Sequence, residues 1–156
     1  GDGIGTFDPA GDGVDVPGLD FDPAALVSQG DADAQYSAGY DAIVRGDYEF
    51  AESQFRQFIS LFPDDLHAPD AANWLGESLL QQHRYDEAAQ ILFDGFENYP
   101  NSLRAPDLLL KLAIALDGAG EREVACRTFG EVLRRFPSVQ PAFRQRLASE
   151  MARAKC

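Results

Sequence analysis

The stretch that decides the fold is FPDDLHAPD, at residues 62–70, because it returns as YPNSLRAPD at residues 99–107. The two copies are 37 residues apart, and a third aromatic-proline pair, Phe136-Pro137, follows after a further 37 residues. Self-similarity at a fixed period of about 20–50 residues is the sequence signature of a repeat architecture. We therefore predict three repeated units between about Ala32 and Pro137.

The same period relates four further positions, counted backward from the prolines at 63, 100 and 137. Small residues lie 12 and 24 positions before each proline, a large apolar residue lies eight before it, and a turn residue lies 17 before it. These sets are Ala51, Ala88 and Ala125; Gly39, Gly76 and Ala113; Phe55, Leu92 and Phe129; and Gly46, His83 and Gly120. Small residues let helices approach closely, so each unit is predicted to be a helix pair, with Phe55 directed toward the next pair.

Prolines and turn residues predict where the helices begin and end. Pro69 and Pro106 lie where the first turn of a helix accepts proline without losing a hydrogen bond. Gly46, His83 and Gly120 lie where the first helix of each pair is expected to end in a left-handed residue. Seven helices are predicted, at about 32–45, 48–61, 69–82, 85–98, 106–118, 121–135 and 141–154.

The last predicted helix differs from the others because it has no partner in a repeat. Phe143, Leu147 and Met151 follow one another at i, i+4 and i+8, which gives this helix a single apolar face. A solenoid needs such a helix to cover its exposed end. The predicted fold class is therefore all-α, a helical solenoid of three helix pairs plus a C-terminal capping helix.

Composition divides the chain into two parts. Residues 1–30 are rich in Gly, Asp and Pro, with isolated apolar residues, and are predicted to be a disordered linker. Calcium binding is the alternative, but the spacing from Asp8 to Asp22 does not fit the Asp-x-Asp-x-Asp-Gly loop. Residues 31–156 are predicted to form the repeat domain, with repeats at about 32–68, 69–105 and 106–140 and a cap at 141–156.

The charge distribution excludes several classes of function. The net charge is −13, and residues 1–33 hold eight Asp and no basic residue. The rest of the chain holds 18 acids and 13 bases, or −5, without a basic stripe, which argues against nucleic-acid binding. No apolar run approaches the length of a membrane span, so no membrane insertion is predicted.

Candidate chemistry is sparse in this sequence. It contains no nucleophile elbow, phosphate-binding glycine loop or metal-ligand spacing. The two histidines, His67 and His83, are 16 residues apart and are interpreted as surface residues. We predict that the chain is not an enzyme, and we assign no catalytic, cofactor-binding or metal-binding residue.

The repeat pattern resembles the tetratricopeptide repeat, whose marks appear here as Leu75-Gly76, GDYEFA at residues 46–51, Phe55 and Pro63. The usual period is about 34 residues, and the extra residues of this chain follow each turn proline. That longer form, with Ala-Pro-Asp, is similar to the C-terminal domain of the CpoB (YbgF) family of cell division coordinators of the bacterial Tol-Pal system. DAANWLGE at residues 70–77 and GEREVACRTF at residues 120–129 resemble that family too, and the resemblance covers residues 31–156.

The resemblance implies a tetratricopeptide-like scaffold of the periplasm that binds TolA. It also implies a role in coordinating peptidoglycan synthesis, by a class A penicillin-binding protein, with outer-membrane constriction during cell division. The family has a signal peptide in its precursor and an upstream coiled coil, which would make the full-length protein oligomeric. No heptads occur in this chain, so it is predicted to be monomeric. Lipoproteins of outer-membrane barrel assembly carry similar Tyr-Pro repeats, so a scaffold for outer-membrane protein or lipoprotein assembly is the alternative.

In such stacks the first helix of each pair lines the concave side, and we expect positions i, i+4 and i+7 of that helix to face outward. These positions form the predicted protein-binding groove: Tyr36, Tyr40, Ile43, Asn73, Glu77, Leu80, Leu110, Ile114 and Asp117. The alternative for each aliphatic member is packing between repeats. Trp74, one residue out of register, is expected in the core or at the groove edge. An apolar groove with an acidic rim suits an amphipathic or extended segment carrying Lys or Arg, such as the Lys-rich helix expected of TolA.

Cys126 and Cys156 are the only cysteines. They are either two unrelated cysteines or a disulfide formed in an oxidising periplasm, and we predict the disulfide. The last two helices are expected to be antiparallel, which brings the end of the cap toward the start of the helix that holds Cys126. The cap overshoots by about 9 Å of helix, so the bond requires the C-terminal tail to fold back.

Overall fold

The computed structural model describes residues 29–156, and this part of the chain is a series of seven helices. The helices are α1 (Gln29–Val44), α2 (Tyr48–Leu61), α3 (Ala68–Gln81), α4 (Tyr85–Asn98), α5 (Ala105–Gly118), α6 (Arg122–Arg135) and α7 (Pro141–Arg153). The predicted all-α class is confirmed, and α1 begins at Gln29, three residues before its predicted start. The predicted linker and the calcium alternative fall almost wholly on residues 1–28, outside the described residues.

The helices begin and end at the residue types that the sequence indicates. Proline lies in the first turn of α3 and of α5, as predicted. Gly46, His83 and Gly120 have φ of 79°, 58° and 89°, so all three first helices end in a left-handed residue, as predicted. This conformation lets the backbone N–H of the next residue reach back to the last turn, for example from Asp47 to the Ala42 carbonyl at 2.8 Å.

Glycine permits close approach inside each of the first two helix pairs. A Cβ on Gly39 would lie 2.8 Å from Cζ of Phe55, and one on Gly76 would lie 2.6 Å from Cγ of Leu92. Phe55 and Leu92 are fully buried in one continuous core. Phe55 therefore fills space inside its own pair, which corrects the prediction that it is directed toward the next pair.

Consecutive helices pack against each other along the chain, and the first helices of neighbouring repeats also touch, α1 against α3 and α3 against α5. Glu52 of α2 connects the first repeat to the second, since it accepts hydrogen bonds from Gln82 at 3.1 Å and from Arg84 at 2.5 Å. Arg56 pairs with Glu52 at 3.0 Å. Burial opposes ionisation of Glu52, but the hydrogen bonds from Gln82, Arg84 and Arg56 outweigh it and hold the pKa of Glu52 below its ordinary value.

The last helix, α7, has the predicted apolar face and covers the end of the stack. Leu147 is fully buried, and Phe143 and Met151 are half-buried against the core. The chain then turns at Lys155, whose φ is 60°, and the Cys156 N–H donates to the Met151 carbonyl at 3.0 Å. The tail folds back as the disulfide requires.

Cys126 and Cys156 are joined in the structure, with their Cα atoms 5.4 Å apart, within the usual range for a disulfide. The bond ties the residue that ends the chain after α7 to the second turn of α6. Contact between these two helices is slight, so the bond adds to the burial of Leu147 in holding the cap on the repeats.

Candidate functional site

An aromatic cluster lies on one side of the stack, where α1 faces α3. Tyr40 and Trp74 meet edge to face with ring centroids 5.7 Å apart, and 43% of Tyr40 is exposed. Tyr36 lies deeper, edge-on to Phe55 at 5.5 Å, and its ring also approaches His67 at 5.2 Å. Burial raises the pKa of the Tyr36 hydroxyl, and the carboxylate of Asp70 raises it further. Rigid aromatic rings with one exposed edge are the side chains that protein-binding surfaces favour.

A buried cation lies beside this cluster. Lys111 of α5 is 4% exposed, and its Nζ lies 3.3 Å from Oε1 of Glu77 and 5.2 Å from the ring centroid of Trp74. Burial lowers the pKa of Lys111, while Glu77 acts in the opposite direction. Burial likewise opposes ionisation of Glu77, but Lys111 outweighs it and the pKa of Glu77 lies below its ordinary value. The pair fixes α3 against α5 directly under the aromatic surface.

The predicted groove residues divide into accessible and buried positions. Tyr36, Ile43, Glu77, Ile114 and Asp117 are half-buried, and Tyr40 is exposed, so six of the nine predicted residues keep accessible surface. The other three are below a tenth exposed: Asn73 at 6%, Leu80 at 9% and Leu110 at 0%.

The prediction that Leu110 faces the groove is therefore wrong, because of the position of α5. This helix packs against α3, α4 and α6, so it is enclosed on most of its circumference and is apolar nearly all round. A run of six residues, from Leu108 to Ala113, is buried there. Leu80 and Asn73 are corrected for the same reason, because α3 also has helices on several sides.

Asn73 is a buried polar side chain whose Oδ1 atom has no hydrogen-bond partner within the described residues. Buried polar atoms without a partner are rare and need an explanation. Asn73 is adjacent in sequence to Trp74, so this unsatisfied acceptor belongs to the helix that carries the aromatic surface.

Sequence reasoning missed two contributors to this surface, Lys111 and Arg146. Trp74, expected in the core or at the groove edge, is half-buried against the core and contacts both Tyr40 and Lys111. Lys111 offered no signal, since a lysine is rarely buried. Arg146 of α7 acts electrostatically on both Glu77 and Lys111, so the cap brings a positive charge to the same surface.

Across residues 29–156 there is no cluster of three or more His, Cys, Asp or Glu placed to hold a metal ion. His83 Nδ1 shares a hydrogen bond of 2.6 Å with the Tyr85 hydroxyl, and His67 Nδ1 lies 3.6 Å from Oδ2 of Asp70. No helix within those residues is long and apolar enough to cross a membrane. The fold and the surface together define a helical-repeat scaffold for protein–protein interaction.

Comparison with known proteins gives the family of these repeats. Two tetratricopeptide-repeat models match the chain, one over residues 36–102 and the other over residues 107–138. Residues 36–102 and 107–138 therefore carry tetratricopeptide repeats, and the seven described helices form a tetratricopeptide-like solenoid. No curated protein sequence matches significantly.

Solved structures share this fold at low sequence identity. The type III secretion translocator chaperone SycD of Yersinia enterocolitica is 20% identical with a TM-score of 0.69, over 83% of this chain and 95% of that chain. PcrH of Pseudomonas aeruginosa is 19% identical with a TM-score of 0.69, over the same shares of the two chains. The N-terminal domain of stress-induced protein-1 of C. elegans is 16% identical with a TM-score of 0.62, over 76% of this chain and 93% of that domain. These similarities concern the fold alone.

Proposed function

We propose that this domain acts in the periplasm as a TolA-binding scaffold of the Tol-Pal system. In this role it coordinates peptidoglycan synthesis, through a class A penicillin-binding protein, with outer-membrane constriction during division. The proposal draws on the 37-residue repeats with their Ala-Pro-Asp helix starts. The Cys126–Cys156 pair supports an oxidising compartment, where disulfides persist.

The observation that carries the proposal is the aromatic surface of Tyr36, Tyr40 and Trp74, with Glu77 ionised beside it. Amphipathic helices bind such surfaces by laying an apolar face on the rings. A Lys-rich helix in addition supplies cations for the faces of the rings. The described residues carry more acids than bases, which favours such a partner over an acidic one.

The test is the affinity for purified TolA, measured by isothermal titration calorimetry. Tyr40→Ala removes an exposed ring without opening the core, and we expect it to weaken binding by about tenfold or more, as for an aromatic hot spot. The matched control is Phe93→Ala, because Phe93 of α4 is 47% exposed and lies outside this surface. Undiminished TolA binding by Tyr40→Ala, or equal loss in both variants, would count against the proposal.

A further inference from the structure

The two loops that begin α3 and α5 have the same rigid construction. In the first loop, Asp65 Oδ1 accepts a hydrogen bond from the His67 N–H at 2.8 Å. In the second loop, Ser102 Oγ accepts from the Arg104 N–H at 3.0 Å. Turns closed in this way by Asp or Ser hold the intervening residue in a fixed position.

That intervening residue is a leucine in both loops, and it points into solvent. Leu66 is 87% exposed and Leu103 is 96% exposed. Singly exposed leucines are ordinary on protein surfaces. Here, however, two consecutive repeats each carry an exposed leucine at the same position of the same turn. The loop before α7 is shorter and has Gln140 as its helix cap, and its apolar residue, Val139, is half-buried. Leu66 and Leu103 therefore contribute nothing to packing, and such an exposed leucine occurs in the first two of these three loops but not in the third.

A cavity of about 370 Å³ lies between these loops, and we call this surface the leucine edge. Its lining residues are Leu66, His67, Pro69, Asp70, Ser102, Leu103 and Arg104. Arg104 donates to Asp70 at 2.5 Å across the cavity floor. The Tyr99 hydroxyl also donates to the Pro63 carbonyl at 2.9 Å, so the two loops are held in register before any ligand arrives.

The surroundings of the leucine edge are acidic. Asp64, Asp65, Asp70 and Asp107 lie on the two loops and the first turns of the helices, against the single cation of Arg104. Arg104 is already paired with Asp70 and, at 3.4 Å, with Asp107. Burial opposes ionisation of Asp65, but the hydrogen bonds from His67 and Gln29 outweigh it and hold the pKa of Asp65 below its ordinary value. At neutral pH this edge thus combines apolar side chains with net negative charge.

We propose that the leucine edge is a second docking surface, for a protein segment in which an apolar side chain is flanked by Lys or Arg. The apolar side chain lies between Leu66 and Leu103, and the cations lie against Asp64 and Asp65. The ring of His67 contacts Tyr36, so the edge is continuous with the aromatic surface and a single partner can cover both. The inference rests on the proposed function only in taking the partner to be a protein.

The test uses a short lysine-rich peptide with a central leucine pair, titrated into the protein and followed by the methyl NMR signals of its leucines. We expect the Leu66 and Leu103 methyls to shift. In Leu66→Asn/Leu103→Asn the affinity falls by about tenfold or more, because two apolar contacts are lost. The matched control is Phe93→Asn/Leu133→Asn, which removes exposed apolar groups of α4 and α6 and changes affinity by less than about twofold. Circular dichroism melts verify that both variants fold.

Several results would overturn the inference. Equal affinity in the two double variants, shifts confined to the aromatic surface, or no binding would each exclude the leucine edge as a docking surface. Equal binding of a peptide with glutamates in place of the lysines would exclude the role of the aspartates. Leucine-dependent self-association would assign the edge to a second copy of the chain, and leucine-dependent binding to phosphatidylcholine vesicles would assign it to a membrane. Tyr40→Ala in the TolA experiment tests the proposed function separately.

Discussion

Loss of the Cys126–Cys156 bond is expected to release the capping helix while leaving the repeats folded. The perturbation is Cys156→Ser, since Cys156 is exposed at the end of the chain and its substitution opens no cavity. Reduction of the wild-type protein is the chemical equivalent. In a solenoid each unit contacts only its neighbours, so the effect is expected to stay local.

The magnitude follows from the loop that the bond closes. The two cysteines are 30 residues apart in sequence, and a cross-link over such a loop stabilises by about 3.5 kcal/mol through the entropy of the open chain. Burial of Leu147, the one fully buried side chain of α7, contributes about 1.5–3 kcal/mol. The bond therefore stabilises the cap at least as strongly as its largest apolar contact does.

The assay is amide hydrogen exchange, because it reports opening of one helix separately from global unfolding. Without the bond, exchange of the α7 amides is expected to accelerate by a few hundredfold, the equivalent of about 3.5 kcal/mol. The amides of α1 to α4 serve as the internal control and keep their protection. Equal protection of α7 in wild type and Cys156→Ser would refute this reasoning, and so would uniform acceleration across all seven helices.

Three further predictions concern the repeats themselves. Gly76→Ala forces a methyl group against Leu92. Even with the gain in helix propensity subtracted, this overpacking lowers the free energy of unfolding by about 1–2 kcal/mol. Urea unfolding measures the change, and an increase in stability would contradict the prediction. Lys111→Met removes the buried cation of Glu77, which within the described residues keeps only the hydrogen bond from Gln81, and lowers the free energy of unfolding by about 3 kcal/mol. Lys111→Met/Glu77→Gln recovers most of that loss, and additive losses in a double-mutant cycle would exclude the coupling. Folding lowers the pKa of Glu52. The contribution of Glu52 to the free energy of unfolding is therefore complete above its ordinary pKa of 4.5 and is lost as the pH falls through the lower pKa of the folded state. Between pH 7 and pH 3, the urea midpoint of Glu52→Gln should fall less than that of wild type, and an equal fall would contradict this account.

Much of the fold could be read from the repeat because its signals are local. The φ of Gly46, His83 and Gly120 was predictable since a helix that is followed at once by an antiparallel helix needs a left-handed residue at that point. The prolines of α3 and α5 mark helix starts for an equally local reason. The start of α1 at Gln29 was missed because Gly30 follows it and belongs by composition to the Gly-rich stretch before it.

The candidate site was less predictable because it depends on which helices enclose each position. A helical register alone assigned Leu110 and Leu80 to the groove, but helices packed on several sides of α5 and α3 bury both. The same enclosure makes Lys111 a buried partner of Glu77, under Trp74. No property of either residue, taken along the sequence, indicates that they meet.

The 37-residue repeat by itself determined that this protein is a stack of helix pairs, since proline, glycine and small residues act on their own turn of helix or on the helix beside it. The spacing of Phe143, Leu147 and Met151 likewise determined that a helix with one apolar face follows the repeats. Only the tertiary structure decided which parts of the repeat remain exposed: Tyr40, and the leucines at 66 and 103, rather than Leu110. Exposure depends on which helices enclose a position, and for Leu110 these are α3, α4 and α6.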